Sequence, residues 1–110
     1  MTLPNGEAAI VEMEKIRDYC LSRRHIRGRH KARVFFSVLG MTAADSEELR
    51  GALIYAALKG EAGLGASDQY GIRYIIDFEF KRGERAAEIR SIWIVRKNES
   101  APRFVTCYVL

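Results

Sequence analysis

The stretch at residues 70–80, "YGIRYIIDFEF", decides the fold. Tyr74, Ile76, Phe78 and Phe80 alternate there with Arg73, Ile75, Asp77 and Glu79, and a period of two sends the two sets to opposite faces of a β-strand. The next residues, "KRGE" at 81–84, supply a hairpin turn. Beyond it, "RAAEIRSIWIV" (85–95) sets Ile89, Ser91, Trp93 and Val95 against Glu88, Arg90, Ile92 and Ile94, and "RFVTCYVL" (103–110) sets Val105, Cys107 and Val109 against Phe104, Thr106 and Tyr108. Short connections make these three strands an antiparallel meander, with Val109 and Leu110 expected inside the sheet.

Upstream of the stretch the period is helical. From Arg29 to Leu39, the residues Ala32, Phe35, Phe36 and Leu39 follow the i, i+3, i+4, i+7 spacing of one helix face, and Gly40 follows as a stop. Thr42 and Asp45 have capping-box spacing, with Asp in place of the preferred Glu or Gln. Leu49, Ala52, Leu53 and Ala56 then repeat the helical spacing up to Gly60. Residues 10–21 carry Met13, Ile16 and Cys20 at helical intervals and read as a short first helix or as a strand running into one. Residues 22–28 read as a loop containing Gly28, and 60–69, "GEAGLGASDQ", as a Gly-rich loop. Helices first and strands afterwards predict an α+β fold. N-terminal helices pack on one face of a C-terminal antiparallel sheet of at least three strands, in a single domain over 1–110.

The 110 residues carry a net charge of +4, and its location matters more than its size. No acid lies between Asp18 and Asp45, while Arg23, Arg24, Arg27, Arg29, Lys31 and Arg33 all fall in that window. With these six set aside from the 18 Lys and Arg, 12 remain against 14 Asp and Glu. The basicity is one local feature, the footprint of a surface that meets phosphate or, equally, of a solvated face. Arg23, Arg24, Arg27, Arg29 and Arg33 are the candidate nucleic-acid contacts.

Cys20 and Cys107 belong to no CxxC or His/Cys cluster and sit within apolar patterns, so they read as reduced core thiols in a reducing, cytoplasmic setting. The N-terminal "MTLPNGEAAIVEMEK" has acids and no apolar run of a secretory signal, and nowhere do about 18 apolar residues run together, so no membrane partner is expected. No His/Cys/Asp grouping has metal-ligand spacing, and neither GxxxxGK[ST] nor GxSxG occurs. Neither a metal nor another cofactor is therefore expected.

If the helices cover Tyr74, Ile76, Phe78, Ile89, Trp93, Val105 and Cys107, the opposite sheet face gathers Arg73, Asp77, Glu79, Glu88, Arg90, Thr106 and Tyr108. Such a face is either an open active site or a salt-bridged outer surface. Ile75, Ile92 and Ile94 on the same side suggest that something covers or binds part of it. On the helix that starts at Arg29, a 3.6-residue turn puts Lys31 at the border of the apolar stripe and His30 nearly opposite its centre. Lys31 therefore reaches the rim of the sheet more easily. Cations at a helix N-terminus oppose the dipole by roughly 0.3–1 kcal/mol, a mismatch that a bound anion would repair.

The segments "GRHKARVFFSVLGMTAADSEELRGAL", "YGIRYIIDFEF", "AEIRSIWIV" and "PRFVTCYVL" resemble a family of bacterial domains of unknown function. The likeness rests on Gly28, His30, Lys31, Ala32, Val34 and Phe35, then Tyr70, Gly71, Tyr74, Arg90, Ser91 and Trp93, then Pro102, Val105, Thr106, Cys107 and Tyr108. It covers nearly the whole chain. More loosely, two helices followed by an antiparallel sheet are similar in architecture to the barnase, colicin and RelE-like ribonuclease toxins, whose sites lie on the exposed sheet face. The last strand here has no histidine, a departure from that pattern that leaves the general acid unassigned.

The leading expectation is a metal-independent RNA-cleaving domain, with His30 or Asp77 in proton transfer, Lys31, Arg73 and Arg90 on phosphate, and Thr106 and Tyr108 positioning the substrate. The alternative is a non-enzymatic module that binds RNA, another phosphate-bearing ligand or a protein partner through the basic segment and the exposed sheet. An inhibitor of a ribonuclease is a third class, against which the basic window counts.

Overall fold

The computed structural model describes residues 1–110. Helices α1 (Met13–Lys15), α2 (Arg29–Leu39) and α3 (Ser46–Lys59) precede strands β1 (Ala62–Asp68), β2 (Gly71–Arg82), β3 (Arg85–Arg96) and β4 (Arg103–Val109). The strands pair in the order β1-β2-β3-β4, all antiparallel. The helices lie on one face, and the architecture is α+β.

The core forms where the two periodicities meet. Phe35 and Leu39 of α2, Leu49 and Leu53 of α3, and Ile76, Ile89, Trp93 and Phe104 of the sheet are all buried in one apolar cluster. Each such side chain contributes about 1.5–3 kcal/mol on leaving water. The α2 stripe is narrower than its spacing suggests, because Phe36 is 42% exposed and lies beneath the Arg23 guanidinium, 4.8 Å away. At the end of α2 the N–H groups of Gly40 and Met41 return to the carbonyls of Phe36 and Phe35. Arg82 donates to the neighbouring carbonyls of Leu39 and Gly40. Thr42 and Asp45 do form a capping box: the Thr42 N–H donates to Asp45 Oδ2 at 2.9 Å, and the Ala44 N–H to Thr42 Oγ1 at 3.3 Å. The box closes a 3₁₀ turn, Ala43–Asp45, which runs into α3.

Two sequence readings are corrected. Most of the Gly-rich loop at 60–69 is strand β1, which pairs Ala62 with Ile76 and Leu64 with Tyr74. On β4, Val105 is an extra residue between the Thr106–Ile92 and Phe104–Trp93 pairs, and this bulge reverses the phase of the strand. Phe104 therefore enters the core at 1% exposure, edge-on to Trp93, while Val105 is only half-buried. Of the two readings of residues 10–21, the extended segment running into a helix is the one found. Ile10 makes a parallel bridge to Arg103, α1 lasts one turn, and Ile16–Cys20 continue it as a π-helical turn. That turn carries Ile16 and Cys20 into the core.

Candidate functional site at the β4 edge

Gly28 sets the position of α2. A Cβ there would fall 2.2 Å from the Tyr19 carbonyl oxygen, so only glycine lets the start of α2 sit against the π-helical turn. His25 fixes the preceding loop, because its Nδ1 accepts the backbone N–H groups of Arg27 and Gly28, both at 3.1 Å. In the neutral ring the proton is thereby held on Nε2. The ring also stands edge-on to Tyr19, with centroids 4.8 Å apart.

From the first turn of α2, Lys31 reaches the edge of β4. Its Nζ donates to Thr106 Oγ1 at 3.2 Å and lies 5.3 Å from the ring centroids of both Tyr19 and Tyr108. An ammonium between two ring faces is stabilised by the ring quadrupoles, by roughly 0.5–1 kcal/mol at a wet site. Thr106 Oγ1 is also 3.7 Å from Cys20 Sγ. Hollows lie on either side of this contact. One of about 280 Å³ is lined by His30, Lys31, Val34, Tyr108 and Val109. Another of about 510 Å³ is lined in part by Glu14, Asp18, Tyr19, His25, Val105 and Thr106. The charged start of α2 and the last strand thus border the same cleft.

The expected site residues separate into three groups. His30, Lys31 and Tyr108 line one hollow, and Thr106 is bonded to Lys31. Asp77, Arg90 and Tyr108 form one cross-strand row on the face away from the helices, leading up to the cleft. Within that row Arg90 grips Asp77 through two bonds of 2.9 and 2.8 Å. The Arg90 bond holds the Asp77 carboxyl below its usual range, with burial opposing, and Asp77 in turn raises Arg90. Asp77 is therefore a settled carboxylate and a poor proton donor. Arg73 stands apart: it faces Ile94 two strands from β4 and is committed to Asp68 at 2.9 Å.

The basic window has no acid partners, and all of its cations but the half-buried Lys31 are exposed. None of Arg23, Arg24, Arg27, Arg29, Lys31 and Arg33 makes an ion pair with an acid, whereas Arg17, Arg73, Arg82, Arg90 and Arg103 all do. No group of three or more His, Cys, Asp and Glu side chains is placed to share a metal ion. No helix is long and apolar enough to cross a membrane.

A family model, a domain of unknown function, matches residues 2–110. The chain belongs to the DUF6883 family. No curated protein matches it. Among solved structures, this DUF6883 chain is similar to a chain of a contact-dependent growth inhibition toxin–immunity protein complex from Klebsiella pneumoniae 342. The TM-score is 0.68 and the identity 16%, over 92% of this chain and 99% of that one. At that identity the likeness is one of fold.

Sequence patterns alone gave no role to Tyr19, which in the DUF6883 cleft forms one wall beside Lys31. Nor did they show that Cys20 lies against Thr106. Both come from the π-helical turn, whose extra residue per turn shifts side chains off the ordinary helical spacing. The one visible signal was His25, three residues before a glycine at the start of a helical period, where a ring nitrogen can cap free N–H groups.

Proposed function

We propose that this DUF6883 chain is a metal-independent RNA-cleaving domain whose substrate phosphate is held at the cleft between α2 and β4. The observation that carries this reading is the Lys31 ammonium, set on the Thr106 hydroxyl between two tyrosine rings, beside a run of cations that no acid of the chain neutralises. Two of the ammonium's three protons remain for an anion. In the proposed reaction the ribose 2′-oxygen attacks phosphorus and the bond to the 5′-oxygen breaks. A base takes the 2′-hydroxyl proton and an acid returns one to the leaving oxygen.

His30 is exposed and shares the hollow with Lys31, so it is assigned to proton transfer. Asp77, held ionised by Arg90, fits that role less well. Lys31 stabilises the charge that develops on the phosphoryl oxygens, Thr106 and Tyr108 position the substrate, and Arg90, paired with Tyr108 across the sheet, adds a second cation for the phosphate backbone. Arg23, Arg24, Arg27, Arg29 and Arg33 guide the polyanion. Arg73 is left out of this assignment. Acting on RNA would place the chain in the cytoplasm, where two unlinked thiols are at home.

Purified protein is expected to cleave RNA in EDTA, with Lys31→Ala and Arg90→Ala together lowering kcat/KM at least about 100-fold. Cleavage unchanged by that pair, or by His30→Ala, would remove the assignment.

A second reading has one observation in its favour. The structural neighbour comes from a toxin–immunity protein complex, so an acidic protein could meet the same unpaired cations. A stable one-to-one complex with an acidic protein, without RNA turnover and weakened by Arg24→Ala with Arg27→Ala, would select this reading over nuclease action.

A further inference from the structure

The hollow between α2 and the end of β4 combines two chemistries. Its cation is Lys31, but the rest of its wall is apolar or aromatic: Val34, Tyr108, Val109 and the His30 ring enclose about 280 Å³, room for one flat heterocycle. Val34 is 42% exposed, and Val38, one turn further along α2, is 37% exposed. Two branched apolar side chains thus face water beside a run of arginines. A lone phosphate gains nothing from such a wall, whereas a phosphate that carries a ring system does.

The backbone adds a third feature. β4 is an outer strand of the sheet, and the Leu110 N–H donates to the Glu88 carbonyl of β3 at 2.9 Å. Successive residues of an antiparallel strand turn their N–H and C=O to opposite sides. Those of Val109 therefore face away from β3, at the hollow that Val109 lines, and no backbone bond outside the helices and strands takes them. One donor and one acceptor stand side by side against an apolar wall.

We infer, resting on the reading of Lys31 as a phosphate contact, that this hollow seats one unpaired nucleobase, so that single-stranded RNA binds here and duplex RNA does not. The base lies against Val34 and Tyr108 with its phosphate on Lys31, and its edge meets the Val109 N–H and C=O. The Watson–Crick edges of adenine, guanine, cytosine and uracil each offer a neighbouring donor and acceptor. Val109 can therefore pair with any of the four, but only where that edge is free. The site selects for strandedness and tolerates base identity.

The test titrates the whole protein with three fluorescent probes of equal length. One is a single strand of 2′-O-methyl RNA, which has no hydroxyl to attack phosphorus; the others are the same strand in a duplex and a backbone of the same charge without bases. Electrostatics alone favours the duplex, whose charge density is the highest, so a preference for the single strand isolates the seat. The single strand is expected to bind at least about 10-fold tighter than either other probe. In Val34→Trp the new ring leans back along α2 toward His30 and fills the hollow. That variant is expected to lose the preference and to keep the wild-type affinity for the base-free backbone. Equal affinity for the single strand and the base-free backbone, or a preference that Val34→Trp leaves intact, would overturn the inference. If the variant does not fold, the three wild-type affinities decide alone. Cleavage of ordinary RNA is scored separately: cleavage without the preference removes the base seat alone, and the preference without cleavage removes the nuclease reading alone.

Discussion

At Ser91 one hydroxyl serves two buried groups: it donates to the Ile76 carbonyl oxygen at 2.8 Å and accepts the Trp93 indole N–H at 2.9 Å. All three residues are fully buried, so no water can take the place of the hydroxyl. Ser91→Ala is expected to destabilise the fold by about 1–3 kcal/mol, read as a lower urea midpoint with an unchanged slope. Residue by residue, the sequence was uneven as a guide. Lys31 could be placed at the rim of the sheet from the helical turn alone, because one residue of angular offset separates a core position from a border position. The separation of Arg73 from that group could not be read. Alternation assigns a residue to a face, but only the register of three strands tells that Arg73 is level with Ile94 and not with Thr106.

Among the elements, α2, α3, β2 and β3 follow directly from periodicity, since each has a long run with one apolar face. Strand β1 does not. Its sequence, "AGLGASD", has two glycines and no β-branched residue, and most of its side chains are exposed. It is strand because the outer edge of β2 offers it a ladder of backbone partners, a tertiary cause that local propensity does not carry. The Val105 bulge is hidden for a related reason: one inserted residue inverts the phase, so alternation read across it assigns Phe104 to the wrong face. The turn from β1 to β2 is pinned by Gly71, at φ +149°, where a Cβ would lie 2.2 Å from the Val95 carbonyl oxygen. Gly71→Ala is expected to cost well over about 1 kcal/mol, because the side chain meets both a disfavoured backbone angle and a neighbouring strand. A urea titration checks this, and a neutral result would mean that β2 and β3 can part at that end.

Over the whole molecule two charge systems behave differently. Asp18, Asp68, Asp77 and Glu99 all have their carboxyls lowered. Arg17, Arg90 and Arg103 are the first cause for Asp18, Asp77 and Glu99, and the Tyr70 N–H for Asp68, with Arg73 adding. A carboxyl lowered in the folded state adds stability that is full above its unfolded value, 3.8 for the aspartates, and is lost as pH falls through the folded value. The thermal midpoint is expected to be insensitive to these groups from pH 7 to about 5 and to drop below about pH 4. Asp77→Asn is expected to lower the neutral midpoint and make the acid slope shallower, which a pH series of melting curves would show. The arginines of residues 23–33 have no such internal partners and are exposed, so under the proposed function their effect belongs to binding. On single-stranded RNA each phosphate neutralised contributes about −0.7 to the slope of log affinity against log salt. Arg24→Ala with Arg27→Ala is therefore expected to make that slope shallower by roughly 1.4 while leaving the melting curve in place. Because both arginines are exposed and hold no acid of the fold, a changed melting curve would show that they brace the loop before α2. An unchanged salt slope would show that RNA does not pass over the start of α2, and a substrate of the proposed reaction would then have to reach Lys31 from the sheet side, past Arg90 and Tyr108.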